Sequence, residues 1–460
     1  MRGQLTSYHG TRDRATTSRV TIDMLPDIAL LEIFDFYVKE AGRIEKWHTL
    51  IHVYRRWRNV VLGSPRRLGL QLFCTARKPV RETLDVWPPL PIIIRHGHYQ
   101  MLDMDNIVAA LKHADRVCEI RLWPVPNSQW ENVMEAMRRS FPELTDLRLK
   151  LQSKDESARI VPDSFLCGFA PRLRALRFES VPFPGLPKLI LSAPCLVKIS
   201  LQKIPHSGYI SPKTMVDCLS TLTNLAELEL SFMSPSCPDR ESRRPPLFTR
   251  SVLPALRHFV FVGVSEYLED LVACIDSPLL DSLQIKFFHQ LIFNTPQLTQ
   301  FISRSPKLKA REEARMDISY SGASVIIPGV LGKGLRLEIS CNRSDWQLSS
   351  LEQVCRSSFP RTLISSLEHL HICNDGFSQL LWQGDIENSQ WLELLQPFTA
   401  VKSLHLSQEF TPRIVPALQE LVKERMTGVL PALRCLCLEE GRPSGHIQEA
   451  ITQFLTARAL

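Results

Sequence analysis

One short pattern of apolar and polar positions recurs through most of the chain. From residue 114 onward the sequence repeats apolar-x-x-apolar-x-apolar, with one wide gap after Ile285. The last two apolar residues of each set are two apart, so they face the same way on a β-strand. The sets are Val117-Ile120-Leu122, Leu144-Leu147-Leu149, Leu173-Leu176-Phe178, Leu196-Ile199-Leu201, Leu225-Leu228-Leu230, Leu256-Phe259-Phe261, Leu280-Leu283-Ile285, Leu367-Leu370-Ile372, Val401-Leu404-Leu406 and Leu433-Leu436-Leu438.

Helical stretches separate these strands, for example at residues 129–137, 214–219 and 267–275. A strand followed by a helix at roughly 20- to 35-residue intervals is typical of a leucine-rich repeat solenoid. The sequence therefore predicts an α/β fold over residues 114–460, an irregular leucine-rich repeat-like solenoid of parallel strands plus helices. Each unit of such a stack buries its apolar edge only against its neighbours. The alternative is a mixed α/β domain with parallel strands, which the repeated spacing disfavours.

Two segments interrupt the pattern. Near residues 306–345, Arg311 occupies an apolar position and several glycines follow, so we expect a distorted repeat or an inserted hairpin. Residues 234–248 are polar and rich in proline, which predicts a loop. Proline also often stands two residues before the first apolar position of a set, as at Pro142, Pro171, Pro194, Pro254, Pro278 and Pro431.

The segment before the repeats has a different pattern, with apolar runs at residues 25–34 and 47–61. On the first predicted helix, Ile28, Leu31 and Phe34 lie on one side, and Leu30, Ile33 and Tyr37 form a second stripe. An apolar surface this wide on so small a unit suggests that part of it binds a partner. The alternative without a binding function is a helical hairpin that caps the next domain.

This segment resembles the F-box. Leu25-Pro26, Ile33-Phe34 and the run Val53-Tyr54-Arg55-Arg56-Trp57 stand where that family carries Leu-Pro, Ile-Phe and a Val-Cys-Arg-x-Trp-like ending. Two positions depart from the family, since Ile28 replaces a usual Glu and Tyr54 replaces a usual Cys. Together with the repeats and the linker at residues 79–88, the chain is similar to a large F-box family of mushroom-forming fungi.

The resemblance implies an organisation and a function. It implies a helical F-box at 22–62, a linker and solenoid cap at 63–113, and a solenoid at 114–460, preceded by a disordered arm at 1–21. The function implied is that of a non-catalytic substrate-recognition subunit of an SCF-type E3 ubiquitin ligase. The F-box would bind a Skp-type adaptor and, through it, a cullin, while the repeats would bind an unknown protein substrate. The residues implied in the adaptor contact or the F-box core are Leu25, Pro26, Leu30, Leu31, Ile33, Phe34, Val53 and Trp57.

The composition of the chain restricts the kinds of partner and compartment that fit it. The net charge of +7 over 460 residues is not concentrated in basic runs, which argues against nucleic acid as the partner. No apolar stretch has the length of a membrane span. The twelve cysteines are scattered without paired zinc spacing, so we expect a reduced compartment, cytoplasmic or nuclear.

The sequence contains no catalytic or phosphate-binding motif, and we expect no enzyme activity, cofactor or metal. His371 and His405 would be neighbours on adjacent strands, and exposed strand histidines are favoured over a metal site.

Binding candidates lie between the last two apolar positions of each set, where the side chain points away from the core. Arg121, Arg148 and Arg177 would stack there about 5 Å apart, and with His371 and His405 they are the candidate substrate-binding residues. Such arginines suit an anionic partner. The competing interpretation is that Glu119, Asp146 and Glu179 neutralise them locally. Two other functions also stay open, a non-ligase F-box scaffold and a polyanion-binding repeat protein.

Overall fold

The computed structural model describes most of the chain as two compact units, residues 1–73 with 81–91, and residues 74–80 with 92–460. The described residues are 22–40, 47–75, 80–96, 104–152, 160–235, 250–290, 292–308, 312–319, 321–329, 333–341, 344–374, 387–423, 428–439, 448–449, 451–454 and 456. The predicted arm at 1–21 and nearly all of the predicted 234–248 loop lie outside them.

The first unit is built from helices α1 (Asp27–Glu40), α2 (Trp47–Val53) and α3 (Arg55–Gly63), after a 3₁₀ turn at Ile22–Met24. Strand β1 (Leu72–Cys74) and helix α4 (Val80–Val86) follow at the boundary between the units. Buried apolar side chains from the three helices form its core, including Leu30, Phe34, Trp47, Ile51 and Val61.

The second unit is a long sheet with helices between its strands. Its strands are β2 (Ile92–His96), β3 (Val117–Val125), β4 (Asp146–Leu151), β5 (Ala175–Glu179), β6 (Lys198–Ile204), β7 (Glu227–Phe232), β8 (Ser251–Val252), β9 (His258–Gly263), β10 (Ile275–Asp276), β11 (Ser282–Phe288), β12 (Glu313–Ser319), β13 (Gly322–Pro328), β14 (Gly334–Ser340), β15 (His369–Asn374), β16 (Ser403–Leu406) and β17 (Cys435–Leu438). Its helices are α5 (Met104–Leu111), α6 (Trp130–Ala136), α7 (Leu186–Leu191), α8 (Pro212–Leu219), α9 (Ser265–Ala273), α10 (Pro296–Arg304), α11 (Ser344–Ser357), α12 (Arg361–Ile364), α13 (Asn388–Leu395) and α14 (Thr411–Lys423).

Within this unit the strands lie in the order β2-β3-β4-β5-β6-β7-β9-β11-β14-β13-β12-β15-β16-β17. All neighbouring pairs in that order are parallel except the two that β13 forms. The short strands β8 and β10 form a separate parallel pair. The predicted mixed α/β architecture of parallel strands and helices is confirmed.

The apolar positions of the sequence pattern form the core on one face of the sheet. Ile199, Leu228 and Phe259 are fully buried and lie in register on three neighbouring strands. Successive helices contact one another as well, α7 with α8, α8 with α9, and α9 with α10. The opposite face carries the intervening polar side chains, and we call it the open face.

A repeated hydrogen-bond arrangement links each repeat to the next. The carbonyl of Thr145 accepts from the N–H groups of both Arg174 and Ala175, at 2.8 and 3.0 Å. The carbonyl of Arg174 does the same for Val197 and Lys198. Similar pairs recur through the stack, so each repeat fixes the start of the following strand.

The prolines of the sequence pattern occupy a turn just before each strand. The Leu173 N–H donates to the Ala170 carbonyl at 3.1 Å, which places Pro171 second in a four-residue turn. The same bond recurs at Leu144, Leu196, Leu256, Leu280 and Leu433. Proline favours that position because its fixed φ fits the turn.

The irregular section contains a three-stranded insertion. The chain leaves β11, passes through α10 and enters β12, which is separated from β11 in the sheet by β13 and β14. Strand β13 is antiparallel to both neighbours, and β14 returns to pair in parallel with β11. A Cβ at Gly322 would collide with the Ile339 carbonyl, so glycine permits this close pairing. None of the described helices is long and apolar enough to cross a membrane.

Candidate functional site

The first unit exposes an apolar stripe along α1. Ile33, Phe36 and Tyr37 are exposed and share one side of the helix by their spacing. Leu30 and Phe34 are buried on the other side. The core therefore falls between the two predicted stripes: Ile28, Ile33 and Tyr37 are solvent-exposed, because burial is decided by the packing of α2 and α3.

The eight predicted adaptor or F-box-core residues divide into two groups. Leu30, Leu31 and Phe34 lie in the core of the unit, and Trp57 packs against Phe34 with ring centroids 4.8 Å apart. Pro26, Ile33 and Val53 are exposed, and Leu25 is half-buried. Sequence reasoning missed Met24 and Phe36, which are 65% and 66% exposed. Phe36 was recognisable as the residue three positions after Ile33.

Arg56 joins the end of the segment to its beginning. Its Nη2 donates to the Leu25 carbonyl and to Asp27 Oδ1, each at 2.6 Å. Its Nε donates to the same carboxylate oxygen at 3.0 Å. These bonds hold the start of α1, with Leu25 and Pro26, against α3.

On the open face of the second unit, four arginines stand in register on consecutive strands. Arg95 of β2 pairs with Arg121 of β3, which pairs with Arg148 of β4, which pairs with Arg177 of β5. We call this set the arginine ladder. Arg95 is an addition to the sequence prediction, which missed it because the preceding Ile92-Ile93-Ile94 run does not alternate.

Carboxylates from the same face stand between the first three arginines. Glu119 Oε1 lies 2.6 Å from Arg95 Nε and 2.7 Å from Arg121 Nε. Asp146 accepts from Arg148 Nε and Nη2, both at 2.9 Å, and lies 3.7 Å from Arg121 Nη2. Local neutralisation by Glu119 and Asp146 therefore applies to this part of the ladder.

Arg177 has different surroundings. Its Nη2 donates to Gln202 Oε1 at 2.9 Å, and its guanidinium lies over the Trp123 ring, 4.7 Å from the centroid. Lys150 lies over the same ring at 4.9 Å. Glu179, the third predicted neutralising residue, contacts lysines instead, with Lys150 at 2.9 Å and Lys203 at 2.8 Å.

The pKa shifts follow these contacts. The hydrogen bonds that Arg148 donates to Asp146 are the largest cause of the raised pKa of Arg148. Burial is the largest cause of the lowered pKa of Arg121, against the attraction of Glu119. Burial alone would raise the pKa of Glu179, but the lysine hydrogen bonds outweigh it and lower that pKa.

On the open face of β15 and β16, towards the C-terminal end of the sheet, the corresponding positions carry histidines. His371 and His405 lie in register and their rings stack, with centroids 4.1 Å apart and planes 10° apart. His371 Nε2 is 3.6 Å from a Glu313 carboxylate oxygen. Cys437 follows on β17, and its Sγ is 3.4 Å from that of Cys435. Burial lowers the pKa of His405, and the neighbouring histidines add to this.

One cluster among the described residues has metal-ligand types. Donor atoms of Glu312, Glu368 and His369 lie within 4.8 Å of one another. Lys402 Nζ already contacts Glu368 at 2.5 Å. The positive charge of Lys402 therefore compensates the negative charge of Glu368, and this carboxylate does not require a metal ion.

Comparisons with known proteins leave the family of this chain open. No protein-family model matches the sequence. No curated protein matches it. A solved structure of the leucine-rich repeat-containing protein LegL7 from Legionella pneumophila aligns over 84% of this chain and 97% of its own length. That alignment has 11% sequence identity and a TM-score of 0.29.

Proposed function

We propose that this chain is a substrate-recognition subunit of an SCF-type E3 ubiquitin ligase. The helical unit would bind a Skp-type adaptor and, through it, a cullin, and the open face of the sheet would bind a target protein. The chain would carry out no bond chemistry itself. It would act by raising the effective concentration of target lysines near a recruited conjugating enzyme. Its site of action would be the cytoplasm or the nucleus.

The observation that carries the proposal is the exposed apolar stripe on α1. The side chains of Ile33 and Phe36 are 46% and 66% exposed to solvent. On the same helix, Leu30 and Phe34 are completely or almost completely buried. Monomeric proteins rarely expose contiguous apolar surface without a partner. The stripe lies on the helix that follows the Leu25-Pro26 pair, and Arg56 fixes the start of that helix in place. Ile33 belongs both to the F-box-like residues and to this exposed apolar stripe.

The open face suits a second partner. Its strands present half-buried side chains at a regular spacing of about 4.8 Å. A rigid parallel sheet of this length holds such side chains in place before binding, which reduces the entropy lost on association. Repeat proteins use extended surfaces of this kind to bind other proteins.

The proposal can be tested by co-expressing the full chain with a Skp-type adaptor and a cullin. We expect the wild type to co-purify both. The double variant Ile33→Asp/Phe36→Asp should reduce adaptor recovery about tenfold or more, because it places charges in an apolar contact. Leu25→Ala/Pro26→Ala should act in the same direction. Circular dichroism would check that each variant is folded.

Val86→Asp is the matched control, since Val86 is 69% exposed and belongs to the first unit without lying on α1. It should leave adaptor recovery unchanged. A wild type that does not bind the adaptor, or an Ile33→Asp/Phe36→Asp variant that binds it undiminished, would overturn the proposal. Adaptor binding with the cullin excluded would support the scaffold alternative instead.

A further inference from the structure

The arginine ladder concentrates positive charge on one part of the open face. Arg95, Arg121, Arg148 and Arg177 occupy the same position on four consecutive strands, which are about 4.8 Å apart. Like charges at neighbouring positions of a sheet repel one another. The charge must therefore be compensated either by the chain itself or by a partner.

The chain compensates the ladder unevenly. Glu119 and Asp146 stand between Arg95, Arg121 and Arg148 and compensate the charge of that part of the ladder. Arg177 forms no ion pair with any described carboxylate. It contacts the neutral amide of Gln202 and the ring of Trp123, and its Nε is buried without a hydrogen-bond partner in the described part of the chain.

The neighbouring side chains add to this imbalance. Lys150 and Arg177 both contact the Trp123 ring, and Lys150 and Lys203 both contact the single carboxylate of Glu179. Around Arg177 the described side chains therefore place three cations, Arg177, Lys150 and Lys203, beside one carboxylate, that of Glu179. The cation–π contacts with Trp123 restrict the positions of Lys150 and Arg177 before any partner binds.

The arginine ladder ends at β5. The strand after β5 carries Ser200 at the ladder position, and the next carries Glu229, which accepts from Ser200 and Gln202 at 2.6 Å each. A long phosphate backbone needs an extended run of cations. Here the charge covers only a few strands and is bordered on one side by Glu229, which favours a short anionic segment.

We propose that the Arg148–Arg177 end of the ladder, with Lys150 and Trp123, binds an acidic peptide segment of a partner protein. Aspartate or glutamate side chains of that segment would accept paired hydrogen bonds from the arginine forks. This deepens the proposed function, on which it rests, by naming the chemistry of the target. Neutral segments would leave the charge imbalance in place.

The experiment selects binders from a random peptide library displayed on phage, using the full chain as bait. We expect enrichment of aspartate and glutamate over the unselected library. Affinities of the selected peptides would then be measured by fluorescence anisotropy and should fall as salt is raised. Amide versions of the same peptides, with Asn and Gln replacing the acids, should lose binding.

Two variants locate the site. Arg177→Gln should weaken binding of the acidic peptides about ten- to hundredfold, the range for a lost hydrogen bond to a charged group. Arg177→Lys should give a smaller loss, because it keeps the charge but not the fork. Arg336→Gln is the matched control: Arg336 extends the same open-face position and pairs with Glu338 of its own strand at 3.3 Å. The Arg336→Gln variant should bind the acidic peptides as tightly as the wild type does.

Several results would overturn the inference. These are the absence of acidic enrichment, an equal loss with Arg177→Gln and Arg336→Gln, or binding only of phosphoserine-substituted peptides or duplex DNA. Thermal unfolding of each variant checks that a loss is not caused by misfolding. Adaptor binding depends on the first unit, so adaptor recovery in the same variants separates a failure here from a failure of the proposed function.

Discussion

At the level of single residues, the histidine pair on β15 and β16 couples stability to pH. His405 stacks on His371, and burial is the largest cause of its lowered pKa, with the charges of His371 and His369 adding to it. Glu313 opposes the shift. A histidine whose folded pKa is lowered binds fewer protons than the unfolded chain does, so acidification favours unfolding.

We therefore expect the free energy of unfolding to fall as pH drops from neutral through the ordinary histidine pKa, near 6.5. His405→Gln should make this decline shallower, because it removes the titrating group and the repulsion within the stack. Urea unfolding at neutral pH and at about pH 5.5 would measure it.

His206→Gln serves as the control, since His206 is exposed on a 3₁₀ turn of the same unit. It should leave the pH dependence as in the wild type. An unchanged or steeper decline in His405→Gln would show that the histidine stack does not set this dependence.

Residue positions on the sheet were more predictable than residue contacts. The alternation of apolar and polar residues is enough to put Arg121, Arg148 and Arg177 at the same position of consecutive strands, where the structure also has them. The partners were not predictable in full. Glu179 contacts Lys203, whose backbone has a positive φ of 50°, and the sequence gives no sign of that bend.

Several of the described thiols have pKa values that burial raises well above the ordinary range. Burial raises the pKa of Cys74, Cys118 and Cys218 to about 11. Thiols with such pKa values stay protonated at physiological pH and are poor nucleophiles.

At the level of elements, the turn before each strand explains the proline spacing and suggests a stabilising change. The Leu222–Leu225 turn has the same hydrogen bond as the others, at 3.3 Å, but carries Thr223 where they carry proline. The Thr223 N–H makes no backbone hydrogen bond within the described residues. Thr223→Pro should therefore raise the free energy of unfolding by roughly 0.4–1 kcal/mol, because proline restricts the unfolded chain.

Chemical denaturation would measure the change, with Thr223→Ala as the control that removes threonine without adding rigidity. Thr223→Ala should show no comparable gain. A destabilised Thr223→Pro variant would mean that this turn differs from its counterparts at Pro194 and Pro254.

The insertion marks the limit of prediction at this scale. Ala314-Met316-Ile318 of β12 and Leu335-Leu337-Ile339 of β14 have the same alternation, so either strand would fit beside β11. Strand direction is not encoded in alternation, because side chains alternate in parallel and antiparallel strands alike. The glycines indicate an interruption, but not which strand joins the stack.

At the level of the whole molecule, the second unit should respond to damage over several repeats. Leu228 is fully buried between Ile199 and Phe259, so Leu228→Asp would place a charge in a core that three repeats share. We expect a loss of several kcal/mol. Nearest-neighbour coupling should spread the effect, with faster hydrogen exchange in β6 and β9 as well as β7.

Gln284→Asp is the control, because Gln284 is exposed on the open face of β11. It should leave hydrogen exchange in these strands near that of the wild type. An effect of Leu228→Asp confined to residues 223–253 would argue against a continuous stack.

The position of β14 beside β11 has a consequence for synthesis on the ribosome. In the long sheet, strands β3, β4, β5, β6, β7, β9 and β11 each join a partner that was made before them, so this part of the sheet can grow as the chain emerges. Growth must then stop, because the next strand to be made, β12, is not the one that pairs with β11. The nascent chain has to complete two hairpin turns before β14 arrives, and only then does β12 become the edge that accepts β15. A pause in translation within residues 313–333 would thus leave the edge of β11 open, and that edge is the place where a nascent chain of this protein is most exposed to association with another.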